Sequence, residues 1–139
     1  MQYWTKDAVC DPHDKSENTW YVCVFNGWGS PAASGKGGLF RTKDRGRTWA
    51  RIAGNDLVPY KVLNAESCTI SPKNPNEMYL TTEYDGLWYT DNLGADKPSF
   101  KPVDSYPFKH PMRVFFDPYH ADHLWVTSFG NGMRVGTMR

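Results

Sequence analysis

The sequence lacks several features that would mark a specialised class of protein. Its net charge is only +1, from 16 Lys and Arg against 15 Asp and Glu in 139 residues, so no charge excess favours nucleic acid or an anionic membrane. Its uninterrupted apolar runs are a few residues long, far short of the roughly 18 residues that a membrane span requires. We therefore expect neither nucleic acid nor a membrane as a partner.

Cysteine is scarce, and no leader segment is recognisable. Cys10, Cys23 and Cys68 are odd in number and widely spaced, which predicts neither a disulfide framework nor a zinc knuckle, and we expect small buried core residues. Residues 1–7 lack the basic and apolar regions of a secretory signal. No phosphate-cradling glycine loop is present, so we expect no cofactor, and the compartment stays unassigned.

Helical periodicity is nearly absent, whereas strand patterns are frequent. Gly and Pro make up 22 of the 139 residues, and aromatic residues make up 15%. The strand-like segments are rich in β-branched and aromatic residues and end at Gly, Pro, Asn or Asp; they are 19–25, 77–82, 86–90, 112–116 and 123–129. This composition predicts an all-β chain of short strands joined by tight turns.

The strand-like segments recur in the same order three times. Each copy begins with an apolar segment that ends in Asp-Pro or Ser-Pro, at Asp11, Ser71 and Asp117, which are 60 and 46 residues apart. A polar loop, an aromatic strand and a strand opening on glycine follow, and a fourth strand lies at 48–52 and at 99–103. Four-stranded units of roughly 40–50 residues are the blades of β-propellers.

We therefore predict an all-β fold of three four-stranded antiparallel propeller blades within one domain. Their bounds are about 7–54, 62–104 and 110–139. One turn also carries a family motif: Thr42-Lys43-Asp44-Arg45-Gly46-Arg47-Thr48-Trp49 resembles the Asp-box, Ser/Thr-x-Asp-x-Gly-x-Thr-Trp, of the bacterial-neuraminidase-repeat (BNR), sialidase-like propellers. All five defining positions match, and a worn copy lies at Thr90, Asp91 and Gly94.

The resemblance implies a propeller fold and relatives that are often extracellular, but it marks the fold and not an activity. We expect Thr42, Asp44, Gly46 and Thr48 to hold a tight turn, because Asp and Thr side chains bond free N–H groups and Gly accepts unusual backbone angles. We expect Trp49 to anchor the blade core.

Three blades are too few to close a ring, because propellers typically have four to eight. The third unit shows no fourth strand, whereas residues 2–6, with Trp4 placed like Trp49, resemble a spare one. We expect this N-terminal strand to complete blade three of a partner chain, so that a homodimer forms a six-bladed ring. The alternative is a piece of a larger propeller.

The turns alternate between two opposite faces of the blades, and ligands in propellers usually bind at the face that carries the second-to-third-strand turns. The candidate ligand-binding residues on that face are Trp28, Tyr60, Glu83, Tyr84, Asp85, Tyr106, His110, Arg113 and Asn131. Aromatic rings stack on sugars while polar groups bind the hydroxyls, so this mixture predicts a glycan ligand. The alternative is that these residues cap strand ends.

Two functions from different classes follow. We favour a non-catalytic carbohydrate- or protein-binding propeller, because it requires only this rim and a propeller fold alone does not fix function. The alternative is a fragment or subunit of a glycoside hydrolase, which normally needs two carboxyl groups; the candidates are Glu83, Asp85 and Glu66. Only Arg113 is placed to bind a substrate carboxylate, as a sialidase requires.

A third cluster is less specific. His120 and His123 lie near Asp117 and Asp122, which are residue types that bind metals. They belong to a loop whose counterparts in the other two copies, 11–18 and 71–77, are ordinary polar loops. We therefore expect no metal site.

Overall fold

The structure consists of β-strands joined by turns. The computed structural model describes residues 4–25, 37–54 and 64–138, and these ranges contain no helix, hence none long and apolar enough to cross a membrane. Their strands in chain order are β1 (Trp4–Cys10), β2 (Trp20–Phe25), β3 (Gly38–Thr42), β4 (Ala50–Ala53), β5 (Ala65–Ile70), β6 (Met78–Thr82), β7 (Leu87–Thr90), β8 (Lys101–Pro102), β9 (Pro111–Phe116), β10 (His123–Ser128) and β11 (Met133–Thr137).

The strands form three antiparallel sheets whose order follows the chain. Blade 1 is β1-β2-β3-β4, blade 2 is β5-β6-β7-β8, and blade 3 is β9-β10-β11 within the described residues. The first strands of the blades, β1, β5 and β9, pack side by side and form the inner edge of the arc. The prediction of an all-β partial propeller built from repeated meanders is confirmed.

The N-terminal segment departs from the prediction. Trp4 pairs with Phe25 and Thr5 with Val24 in the same ladder as the rest of β1, and the Trp4 and Phe25 rings stack at 5.7 Å. Residues 4–6 therefore begin the first strand of blade 1 and are not a spare strand for blade 3. A bulge after Thr5 shifts the side-chain alternation by one residue, so the pattern looked like a separate strand. A homodimer stays a prediction and would need another contact.

Two hydrophobic cores lie between neighbouring blades. β6 contributes to both, because successive side chains of a strand point to opposite faces. Met78 and Leu80 belong to the core between blades 1 and 2, whereas Tyr79 belongs to the core between blades 2 and 3. The larger core also contains the fully buried Leu39 and Ile52. Blade 2 is thus covered on both faces, which holds the arc together.

The cysteines are free thiols with different burial. Cys23 and Cys68 are buried in the core between blades 1 and 2, as predicted. Cys10 is only half-buried, because it is the last residue of β1. Burial raises the pKa of the Cys23 thiol, which disfavours its reactive thiolate.

One carboxylate holds the turn between β3 and β4. Asp44 Oδ1 accepts hydrogen bonds from Thr42 Oγ1 (2.7 Å) and Thr48 N (2.8 Å), and Oδ2 accepts one from Thr48 Oγ1 (2.6 Å). These bonds lower the pKa of Asp44 to about 2. Gly46 has a φ of 86°, which residues with a side chain rarely adopt. Trp49 is half-buried and donates from Nε1 to Gly46 O (3.1 Å), so it covers the turn and is not the predicted core anchor.

Blade 2 repeats this turn with an amide in place of the carboxylate. Thr90 Oγ1 donates to Asn92 Oδ1 (2.7 Å), and Ser99 N donates to the same oxygen (2.9 Å). Asn92 therefore takes the place of Asp44, and the predicted assignment to Asp91 was wrong. Three additional residues separate Asn92 from Ser99, which concealed the spacing.

Candidate functional site

A cleft of about 340 Å³ opens where blades 2 and 3 meet, on the face that carries the β6–β7 and β10–β11 turns. Its lining residues are Glu66, Glu83, Tyr84, His110, Pro111, Met112 and Phe129. Two of them, Glu66 and Glu83, are buried acidic residues. A largely apolar cleft with a few polar groups is the usual form of a small-molecule or glycan site.

A β-bulge in the first strand of each blade turns one side chain toward this region. Strand pairing skips Lys6 in β1, Glu66 in β5 and Met112 in β9. Bulges of this kind re-aim side chains and are frequent beside binding sites. Glu66 and Met112 line the cleft, and Lys6 Nζ lies 3.5 Å from Glu66 Oε2. The bulges thus bring residues of all three blades to one region.

Glu83 follows β6 directly and is 7% exposed. Its Oε2 accepts a hydrogen bond from Asn64 Nδ2, and its backbone N–H donates to Asn64 O (3.0 Å). Its Oε1 is buried and has no hydrogen-bond partner among the residues described. Because a buried polar oxygen without a partner is unfavourable, Glu83 is suited to accept a hydrogen bond from a ligand.

Glu66 is the second buried acid. Burial raises the pKa of Glu66, the negative charge of Glu83 raises it further, and Lys6 opposes both effects. The charge of Glu83 therefore reaches the Glu66 carboxyl group.

Aromatic rings surround the two acids. Tyr84 and His110 meet edge to face, with ring centroids 5.5 Å apart. His110 Nδ1–H donates to Glu83 O (2.6 Å), since a carbonyl oxygen only accepts. Phe129 is 76% exposed, and its N–H donates to His110 O (2.9 Å). An exposed ring beside buried carboxyl groups is suited to stack on a sugar whose hydroxyls the acids bind.

The structure brings together some of the predicted site residues and separates others. Glu66, Glu83, Tyr84 and His110 share the cleft. Asp85 and Tyr106 line a neighbouring depression that has Tyr84 in common with it. Arg113 Nη2 lies 3.7 Å from Asp7 Oδ1, Asn131 is exposed between β10 and β11, and Trp28 and Tyr60 lie outside the described residues.

Four residues of this region were not predicted: Lys6, Pro111, Met112 and Phe129. A signal for two of them was present in the repeat. Lys6, Glu66 and Met112 each lie five residues before the Asp-Pro or Ser-Pro anchor of their blade, so Glu66 as a candidate implied the other two. For Phe129 the sequence indicated only that it lies in the turn between β10 and β11.

The opposite face of blade 3 carries a different group. Ligand atoms of Asp117, His120 and His123 lie within 4.8 Å of one another, and they form the one such metal-ligating group among the described residues. The expectation that this loop holds no metal site stays a prediction. Asp122 is not a member of the group.

Comparisons with known proteins find solved structures with a similar fold. No family model and no curated protein match the chain. Solved structures do match. Among them are an ancestral GH74 enzyme (22% identity, 91% of this chain and 14% of that one, TM-score 0.65), the GH74 enzyme of Niastella koreensis (16% identity, 96% of this chain and 21% of that one, TM-score 0.68), and the GH74 xyloglucanase of Xanthomonas campestris (18% identity, 96% of this chain and 22% of that one, TM-score 0.69).

The TM-scores of 0.65–0.69 show that the chain shares the β-propeller-type fold of these enzymes. At identities under 25%, the similarity shows the fold alone. The chain spans 14–22% of the length of those enzymes. The narrower resemblance to sialidase-like, Asp-box propellers stays a prediction.

Proposed function

We propose that the chain is part of a β-propeller glycoside hydrolase, and that its cleft binds and cleaves a polysaccharide of the xyloglucan type. The observation that carries this proposal is the pair of buried carboxyl groups, Glu66 and Glu83, in one cleft with exposed aromatic rings. This reverses the order of the two functions expected from the sequence, where the non-catalytic module came first.

The chemistry of the pair supports hydrolysis. Cleavage of a glycosidic bond needs one carboxyl group that holds a proton for the leaving oxygen and one carboxylate that acts as nucleophile or base. The raised pKa of Glu66 suits it to the role of acid. Glu83, with one carboxylate oxygen held by Asn64 and the other unbonded among the described residues, takes the second role. Asp85 lies outside the cleft.

The substrate class rests on the comparison. One of the three similar structures is a xyloglucanase, and long polysaccharides suit a cleft whose rim carries an exposed phenyl ring. Because the chain spans about a fifth of that enzyme, other parts of a complete propeller would extend the cleft.

The test is the release of reducing ends from xyloglucan by the whole chain and three variants. Glu83→Gln and Glu66→Gln remove one carboxyl group each, and Glu17→Gln is the control, because Glu17 is exposed in the β1–β2 loop. We expect hydrolysis by the wild type and the control and its loss, on the order of a hundredfold or more, in the other two variants. Equal activity in all four would refute the assignment.

Binding of the polysaccharide without hydrolysis would favour the non-catalytic glycan-binding module instead. The exposed Phe129 ring supports that second function. In that case Phe129→Ala abolishes binding, and Glu66→Gln leaves it largely intact.

A further inference from the structure

The loop between β9 and β10 places three metal-ligating side chains in one group. His120 Nδ1 lies 3.5 Å from Asp117 Oδ1, and the His120 and His123 rings stack with centroids 5.0 Å apart and an interplanar angle of 24°. All three residues have ligand atoms within 4.8 Å of one another. Asp117 and His123 are half-buried, whereas His120 is exposed, so one side of the group faces solvent.

Backbone hydrogen bonds fix the positions from which these side chains project. Asp117 N donates to His123 O (2.8 Å), and His123 N donates to His120 O (2.8 Å). The Asp117 carboxylate closes the loop by accepting from His120 N (3.1 Å) and Tyr119 N (2.8 Å). The three ligand positions are thus tied to one another by main-chain bonds, which reduces the entropy lost when a ligand binds.

The equivalent loop of blade 2 shows that this frame does not need histidine. There Ser71 N donates to Glu77 O (2.8 Å), and Glu77 N donates to Asn74 O (3.1 Å), in the same pattern as residues 117, 120 and 123. The Ser71 hydroxyl accepts from Lys73 N (3.3 Å), as the Asp117 carboxylate accepts from Tyr119 N. The same backbone is therefore built without imidazoles, so folding alone does not explain the pair of histidines in blade 3.

We propose that Asp117, His120 and His123 bind a divalent transition-metal ion of the Zn²⁺ type, on the face of blade 3 opposite the cleft. Two imidazole nitrogens and one carboxylate oxygen are a donor set that suits Zn²⁺ and its neighbours, with a solvent molecule in the fourth position. Bonds to zinc are about 2.0–2.2 Å long, so the three ligand atoms, now within 4.8 Å of one another, would move closer together around the ion.

The surroundings of Asp117 support this assignment. Trp125 Nε1 donates to Asp117 Oδ2 (3.0 Å), and this bond, with those from the backbone, lowers the pKa of Asp117 to about 2. The carboxylate is thus ionised and oriented before any ion arrives, as an outer hydrogen bond does for the ligands of known metal sites. An ion bound by Asp117 and His123 would link the end of β9 to the start of β10.

The test is a calorimetric titration of the whole chain with Zn²⁺. His120→Asn gives the loop the residue that blade 2 has at Asn74, and the His120 side chain is 63% exposed, so the substitution opens no cavity. His13→Asn is the matched control, a histidine in the β1–β2 loop outside the group. We expect one Zn²⁺ per chain in the wild type and the control, and an affinity on the order of tenfold or more lower in His120→Asn.

Two further measurements make the result decisive. His123→Gln should weaken Zn²⁺ binding as His120→Asn does, and circular dichroism of both variants should match the wild type. Co²⁺ bound in place of Zn²⁺ should show visible absorption bands that disappear in both variants. No binding by the wild type, or one-to-one binding unchanged in both variants, overturns the proposal; the latter outcome would place the ion elsewhere, for example on a cysteine.

Discussion

Gly38, the first residue of β3, is the one of the described glycines at which an added methyl group should disturb the fold most. Its φ is 125°, outside the range that other residues adopt. A Cβ built there would lie 2.0 Å from Ala53 O and 3.3 Å from Gly54 Cα. Both are backbone atoms and Ala53 is fully buried, so neither neighbour can move without breaking the β3–β4 pairing.

The expected magnitude follows from two terms. A side chain at such a φ costs about 1–3 kcal/mol, and overpacking in a tight core costs about 1–3 kcal/mol more. Gly38→Ala should therefore lower the free energy of unfolding by about 2–6 kcal/mol, a large share of the roughly 5–15 kcal/mol that holds a domain folded.

Two glycines of blade 3 separate these terms. Gly132 has a φ of 71° and nothing within 4 Å of an added Cβ, so Gly132→Ala should cost only the backbone strain, about 1–2 kcal/mol. Gly136 lies in β11 with Met138 Cε 3.6 Å from its added Cβ and no positive φ. Gly136→Ala should change stability by less than about 0.5 kcal/mol or raise it slightly.

Urea unfolding followed by tryptophan fluorescence measures all three variants against the wild type. The predicted order of destabilisation is Gly38→Ala, then Gly132→Ala, then Gly136→Ala. If Gly38→Ala were no more destabilising than Gly132→Ala, the close approach of β3 to Ala53 would be wrong, and with it the register of blade 1.

Three other substitutions test the turn, the blade interface and the acid pair. Asp44→Asn should lower the urea midpoint at pH 7. The pKa of Asp44 is about 2 in the folded chain, below its usual value of about 3.9. The wild type should therefore lose the stability that the ionised Asp44 contributes as the pH falls from about 4 to 2, whereas the variant should not. Arg41→Met should cost about 1.5–3 kcal/mol in urea unfolding, because the buried guanidinium donates from Nη1 to Leu93 O across the blade interface (2.8 Å). Lys6→Met removes the charge that lowers the pKa of Glu66, so the high-pH limb of the hydrolysis profile should move to higher pH, and a shift to lower pH would contradict the acid role of Glu66.

The strand order was predictable because each blade repeats the same order of strands and turn residues. Turn residues bound every strand, and β6 reads as a continuous buried segment, Met78–Thr82, as expected of a strand with a blade on either side. What the pattern concealed were irregularities of one residue. The bulge beyond Thr5 made residues 4–6 look like a strand of another blade.

The candidate site was predictable in part. Hairpin geometry placed Glu66, Glu83 and His110 on one face, because every second turn of a meander lies at the same edge. It did not predict that Arg113 pairs with Asp7, nor that the bulge in β9 turns Met112 into the cleft. Such contacts between blades depend on the rotation of one sheet against the next, which strand periodicity does not encode.

The histidines of the β9–β10 loop could not be interpreted from the sequence alone. The sequence interpretation set its histidines aside because the counterpart loops are polar and ordinary. The blade 2 and blade 3 loops share the same backbone hydrogen bonds. Because the blade 2 loop forms them without histidine, this comparison is the reason for the metal site proposed above.

The most direct test of the central claim is a nitrogen-15 correlation spectrum of the whole chain, titrated with the oligosaccharide unit of the proposed substrate. The account predicts that amide shifts change at Glu66, Glu83, Tyr84, Met112 and Phe129, the residues of the cleft between blades 2 and 3. Changes confined to the opposite face, or no change at saturating oligosaccharide, would contradict it.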